Sequence, residues 1–135
     1  MIYADTDFFM ALMKKSDWLK ESAERLLAKY KDQIWTSPVT MIEVLLIVGD
    51  LHIDPERAIM DVLNIAQLRG ADYRVYLQAA RYMKYKNVNV FDSLHAALCG
   101  HDGPIISSDR VFDKLGMKRI RLEQQGDSVS AGLPK

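Results

Sequence analysis

Met1-Ile2-Tyr3-Ala4-Asp5-Thr6-Asp7 and its later counterpart Pro104-Ile105-Ile106-Ser107-Ser108-Asp109 decide the fold. In each, a short apolar run leads to an aspartate, and a helical pattern follows. A continuous apolar run of this length suits a strand buried on both faces, as in a parallel sheet. Working outward, residues 8–13 read as a helix broken near Lys15 and Ser16. Ser16 is placed to cap a second helix, in which Leu19, Ala23, Leu26, Leu27 and Tyr30 recur at helical spacing. Residues 34–36 form a strand candidate. Ser37-Pro38 then opens a helix through Val48, with proline in the first turn, where its missing N–H costs nothing.

Asp54-Pro55 starts a fourth helix with an Ile59, Val62, Leu63 and Ala66 stripe, ended by Gly70. Residues 71–73 read as a short strand, and a helix follows to about Lys86. Asp92 heads a helix over residues 93–99, residues 110–115 form a short helix, and residues 119–122 a last strand. Strands separated by helices imply an α/β fold around a mostly parallel sheet of about five strands.

At 135 residues the chain fits one domain with a core of its own. Residues 1–123 are expected to form that domain and the polar residues 124–135 a flexible tail. Lys+Arg and Asp+Glu both number 18, so net charge points neither toward nor away from nucleic acid. The single Cys99 excludes an internal disulfide framework and suits a reducing cytoplasm. The scattered histidines and lone cysteine make no zinc signature. No apolar run is long enough to span a membrane and no signal peptide opens the chain, so a cytoplasmic location is expected.

Glu43 is the most informative single residue, because it is the one carboxylate in an otherwise apolar stretch over residues 41–48. A helix apolar nearly all round is expected to be buried, and a buried carboxylate is costly unless paired or bound to a metal. Asp5, Asp92 and Asp109 each head a helix, where an aspartate ordinarily caps a free N–H. Their shared placement says more. Asp5 and Asp109 follow strands, and strand carboxyl ends in a parallel sheet share the edge where ligands bind. Asp92, heading a helix, reaches the same edge. Carboxylates gathered there repel one another unless a hard cation intervenes, and an all-oxygen set points to Mg²⁺ or Mn²⁺.

These segments, with Ser37-Pro38-Val39-Thr40-Met41-Ile42-Glu43 and Phe91-Asp92-Ser93-Leu94-His95-Ala96-Ala97-Leu98, resemble in order and spacing the PIN-domain nucleases, and among them the VapC-type branch. The resemblance runs to about residue 122. It implies a three-layer α/β/α fold with a five-stranded parallel sheet. It also implies an endoribonuclease that hydrolyses RNA with Mg²⁺ or Mn²⁺ held by Asp5, Glu43, Asp92 and Asp109. Asp7 stands where the family often has Asn or Ser, and is a supporting residue or a fifth acid. Ser107 stands where Ser or Thr is common, and its hydroxyl is placed to hold a metal ligand. His95, three residues after Asp92, reads as packing or a local hydrogen bond. The resemblance further suggests a homodimer, for which apolar residues on the second and fourth helices offer a face, and, if the chain is the toxin of a toxin–antitoxin pair, an antitoxin partner.

For substrate, Arg69, Arg74, Arg81, Lys84 and Lys86 face only Asp72 across residues 69–87, with Tyr73, Tyr76, Tyr82 and Tyr85 interleaved. Arg110, Lys114, Lys118, Arg119 and Arg121 make a second basic stretch. Such stretches can follow a phosphate backbone while tyrosines stack on bases, or can simply be solvated faces. Arg81, Lys84 and Arg110 are the substrate-binding candidates. Three other readings stay open: an RNA-processing factor, a non-catalytic interaction module, and a haloacid-dehalogenase-like phosphatase with Asp5 as nucleophile. Phe8-Phe9 stands against the last, where Gly-Thr is expected.

Overall fold

The computed structural model describes residues 1–123; the expected tail at 124–135 lies outside them. The strands are β1 (Ile2–Ala4), β2 (Ile34–Thr36), β3 (Gln67–Leu68), β4 (Ile105–Ser107) and β5 (Arg119–Arg121). The helices are α1 (Thr6–Met13), α2 (Lys20–Lys29), α3 (Pro38–Val48), α4 (Pro55–Ile65), α5 (Arg74–Lys86), α6 (Val90–Cys99) and α7 (Val111–Lys114). A turn of 3₁₀ helix, Gly49–Leu51, continues α3.

All strand pairs are parallel, in the order β3-β2-β1-β4-β5. The chain winds outward from β1 in one direction, then returns to β1's other side for β4. That reversal between β1 and β4 is where a crevice opens at the carboxyl ends of a doubly wound sheet.

The period of two along the strands makes the three layers. Ile2 and Ala4 of β1, with Ile34 and Ile106, join a core against Phe8, Phe9, Ala23, Val44, Ala58 and Val62 from α1 to α4. Tyr3 and Ile105, one residue out of step, face the other way onto Tyr82, Val88, Ala96 and Phe112 from the α5–α7 side. Phe8 and Phe9 stack edge to face at 5.3 Å between centroids, and burying each contributes about 2–3 kcal/mol.

Several local expectations change. The third strand is Gln67–Leu68, not residues 71–73. Ala66 leaves the helix with an extended backbone while its N–H still bonds Val62, and the next residues pair with Trp35 and Thr36. Residues 71–73 instead lead into α5, where the Asp72 carboxylate accepts the Arg74 N–H at 2.8 Å. The turn before α2 is held by Asp17, whose side chain accepts the Leu19 N–H, rather than by Ser16. Apolar α3 buries only Thr40, Val44 and Val48. Ile42, Leu45 and Leu46 stand more than half exposed, beside exposed Met60 and Leu63 of α4. The fourth helix thus keeps its exposed apolar residues, whereas Leu26 and Leu27 of α2 pack against the core, and α3 rather than α2 carries the other exposed apolar side chains. Among the described residues, no helix is long and apolar enough to cross a membrane.

Candidate functional site

Strand ends and helix starts meet at the crevice. Asp5, extended after β1, donates its N–H to Ile106 at 3.0 Å and caps α1, its Oδ1 accepting the Thr6 N–H at 2.8 Å. The Ser107 hydroxyl, at the end of β4, donates to Asp5 Oδ2 at 2.8 Å and accepts the Asp109 N–H at 2.9 Å. One buried hydroxyl thus joins two of the acids. Asp109 in turn accepts the Val111 N–H at 3.0 Å.

Asp92 is not a helix cap. Asn89 caps α6, accepting the Asp92 N–H and donating its amide to Asp92 Oδ2, both at 2.9 Å. Asp92 thus sits in the first turn, three residues inside the helix it was expected to cap. Asp7 accepts the Ser108 N–H at 2.9 Å and the Ser108 hydroxyl, both on Oδ2, while its buried Oδ1 meets no donor.

His95 lies at the heart of the site, which its sequence context did not announce. It is wholly buried, and its Nε2 lies 2.7 Å from Glu43 Oε1 and 3.2 Å from Asp5 Oδ1. Its Nδ1 meets the Tyr3 hydroxyl at 2.7 Å, which also meets Ser37 at 2.8 Å. Nε2 donates toward the carboxylates in either protonation state, whereas Nδ1 accepts from the Tyr3 hydroxyl when the ring is neutral and donates to it when the ring is charged. Thr6 also donates to Glu43 Oε1 at 2.5 Å. Both bonds fall on that single oxygen, leaving Oε2 for other work. Glu43 is partly exposed, not buried as the apolar sequence around it suggests.

The electrostatics follow from crowding. Burial pushes the Asp5 carboxyl up to about 7, with Asp7 adding to the rise and His95 opposing it. Burial likewise raises Asp7, against its Ser108 bonds. Asp92 is pushed up to about 6 by burial, then by the charge of Asp109 and a hydrogen bond with it. Two carboxylates that close share a proton or need a cation. Burial also works to raise Glu43, but bonds from His95 and Thr6 hold it below the usual carboxylate range. His95 is held above its ordinary value, since Glu43 and Asp5 outweigh burial.

A cleft of about 690 Å³ is lined by Asp5, Asp7, Glu43, Asp92 and Asp109, with Lys14 and Arg110 on its walls. The structure thus brings all four expected acids together, and Asp7 with them. Asp5, Glu43 and His95 offer ligand atoms within 4.8 Å of one another. Of the substrate candidates, Arg110 lines the cleft, whereas Arg81 and Lys84, exposed on α5, are not among its lining residues. Lys14, which the sequence did not single out, is in the wall.

Within the second basic stretch, Arg119 is not free for a phosphate. The Arg119 side chain is 2% exposed and bridges Asp113 at 2.9 Å and Glu123 at 2.7 Å. It also donates to the Ser107 carbonyl at 2.8 Å, bracing the turn that carries Asp109. Arg119→Ala is expected to lower stability by about 1–2 kcal/mol in urea unfolding, because it removes a nearly buried side chain together with its hydrogen bonds to Ser107, Asp113 and Glu123. A loss within error would show that this bracing is idle.

The PIN domain family model matches residues 2–118. No curated protein matches the chain. Three similar solved structures share the fold. The sarcin–ricin-loop-cleaving VapC toxin of Mycobacterium tuberculosis is 19% identical, with TM-score 0.78, over 90% of this chain and 99% of that one. FitAcB of Neisseria gonorrhoeae is 18% identical, with TM-score 0.69, over 90% and 98%. VapBC-1 of nontypeable Haemophilus influenzae is 18% identical, with TM-score 0.63, over 92% and 100%.

Proposed function

The chain belongs to the PIN domain family, and from that premise we propose that it is a metal-dependent endoribonuclease, the toxin of a toxin–antitoxin pair acting in the cytoplasm. The observation that carries this reading is the gathering of Asp5, Asp7, Glu43, Asp92 and Asp109 in one open cleft. The donor set fits a hard divalent cation. It is rich in carboxylate oxygen, and burial together with neighbouring Asp109 raises Asp92. Asp5, Glu43, Asp92 and Asp109 are the residues that would hold Mg²⁺ or Mn²⁺. Once bound, such an ion polarises a phosphate and makes a water molecule more acidic.

The side chains divide the remaining work. Asp5 is immobilised by Ser107, Thr6 and His95, and Asp92 by Asn89. Both carboxyl groups are therefore held in fixed positions at the crevice. Glu43, kept ionised and anchored through Oε1, is placed to take the proton of the attacking water. The water oxygen forms the new bond to phosphorus, the bond from phosphorus to O3′ breaks, and the departing O3′ takes up a proton. Arg110 on the cleft wall offers charge to the substrate phosphate.

Cleavage of a structured RNA panel tests the reading. Cutting is expected with Mn²⁺ or Mg²⁺ and not in EDTA, leaving 5′-phosphate and 3′-hydroxyl ends. Ends carrying a 2′,3′-cyclic phosphate would rule out attack by water.

The exposed Arg81 and Lys84 extend the substrate path along α5, whose last turn leads through Asn89 to Asp92. Exposed Tyr76 and Tyr85 there suit stacking on unpaired bases, whereas Tyr82 belongs to the core. Reversing both charges to Glu is expected to weaken RNA binding about tenfold and flatten its salt dependence. Fluorescence anisotropy checks this, and unchanged affinity would mark a merely solvated face.

The apolar α3–α4 face, with Ile42, Leu45, Leu46, Met60 and Leu63 exposed, supports a protein partner, an antitoxin or a second copy in a homodimer. A role as an RNA-processing factor would use the same cleft.

A further inference from the structure

Beyond the four acids of the proposed function, and resting on that reading, the geometry points to Asp7 as a further cation-holding carboxylate that binds through Oδ1. Asp7 stands at N2 of α1, two residues after Asp5, so the first turn of one helix aims both side chains at the crevice. Its two oxygens have different surroundings. Oδ2 is fully engaged by the Ser108 N–H and hydroxyl, which fixes the carboxyl plane. Oδ1 is buried, yet it meets no donor, and among the described residues it is the one buried side-chain oxygen or nitrogen in that position.

A buried oxygen without a partner costs about 1–3 kcal/mol, and native proteins rarely keep one without a reason. Nearby donors could have been supplied easily, as Thr6 and His95 are for Glu43. Instead Asp109 and Asp5 add negative charge beside Asp7, opposed by His95. An oxygen that is buried, fixed in plane, without a donor and beside other carboxylates is matched to a cation, not to an N–H group. The ligand class is a hard divalent ion such as Mn²⁺ or Mg²⁺, which takes carboxylate oxygen and tolerates a crowd of acids. Ser108 then has a purpose of its own: it spends its donors on Oδ2 and leaves Oδ1 to the ion.

The test measures Mn²⁺ binding rather than cleavage, by electron paramagnetic resonance of the free ion. It compares metal-free wild type, Asp7→Asn and Asp92→Asn. Asparagine keeps an oxygen for Ser108 but puts an amide where Oδ1 lies. The expected result is about tenfold weaker Mn²⁺ binding in Asp7→Asn. Metal-free Asp7→Asn should also melt at or above the wild type, while gaining less from added Mn²⁺. Asp7→Ser serves as the second variant if the first does not fold, and should weaken Mn²⁺ likewise.

Unchanged affinity in Asp7→Asn beside a loss in Asp92→Asn would overturn the assignment and leave the proposed function standing. A metal-free Asp7→Asn that melts lower and binds Mn²⁺ normally would show that Asp7 serves only Ser108. Failure of the wild type to bind Mn²⁺ would remove both the assignment and the metal-dependent reading.

Discussion

Asp92→Asn is expected to lower Mn²⁺-dependent RNA cleavage by at least about a hundredfold without unfolding the protein. The magnitude is that of removing one preorganised charge from a polar active site. The fold should survive because asparagine keeps an oxygen for the Asn89 amide and leaves the Asn89 cap of α6 in place. Its neutral side chain also removes the burial cost and the repulsion from Asp109 that together push Asp92 up to about 6. The metal-free variant should therefore melt no lower than the wild type. Asp5→Asn is a poorer test of chemistry. Asp5 accepts from Thr6, Ser107 and His95, so an amide there must face a donor and weaken the fold as well. Cleavage rates of wild type and Asp92→Asn on one RNA, at saturating Mn²⁺, decide the matter. Undiminished cutting by a folded Asp92→Asn protein would mean that the acidic cleft is not the reacting centre.

The contrast between Asp92 and His95 shows how far the sequence could be read. Asp5 and Asp109 are legible because a short apolar strand before each fixes the sheet edge on which they stand, and local chain direction settles the rest. Asp92 is legible as an edge residue but not in its register. Asn89 and Asp92 are both good capping residues, and only the observed backbone chooses between them. His95 was not legible as a site residue. Its partners Glu43 and Tyr3 lie 52 and 92 residues away in the chain, and nothing within one turn of His95 announces them.

The strand over residues 67–68 was hidden for a different reason. Two residues carry too little periodicity to outweigh the helical stripe that precedes them, and their pairing with β2 decides. Arg119 misled because charge counted along a strand ignores which cations are already paired. In α3, uniform apolarity implied burial, yet its outer face is open. Local pattern gives the faces a segment can offer; which of them are covered depends on elements far away in the chain.

The same crowding of acids makes stability depend on pH in a direction unusual for paired carboxylates. Without a divalent cation, the melting temperature is expected to fall by about 10 °C as pH rises from about 5 to about 8. Asp5 holds its proton in the folded state up to about 7, whereas unfolding returns it to the ordinary carboxylate value. Between those values the folded protein binds more protons than the unfolded chain, so raising pH favours unfolding. Asp92, pushed up to about 6, acts in the same sense, though partial exposure screens it. Asp7, also raised, adds to the fall.

His95 reinforces it at the upper end. Its raised value gives stability present at low pH and lost as pH climbs through that value. Glu43 has the opposite sign, but its lowered value places its effect below the ordinary carboxylate range, outside this window. Each pH unit of displacement is worth about 1.4 kcal/mol, so the buried Asp5 alone contributes on the order of a few kcal/mol. Added Mn²⁺ should restore most of the loss at high pH, because binding at a hundred times Kd adds about 2.7 kcal/mol to the folded state. Thermal denaturation in EDTA and in Mn²⁺ across this range makes the comparison. A melting temperature that stays level in EDTA would mean that Asp5 and Asp92 ionise like ordinary surface carboxylates, and the cleft would then have no electrostatic need of a cation.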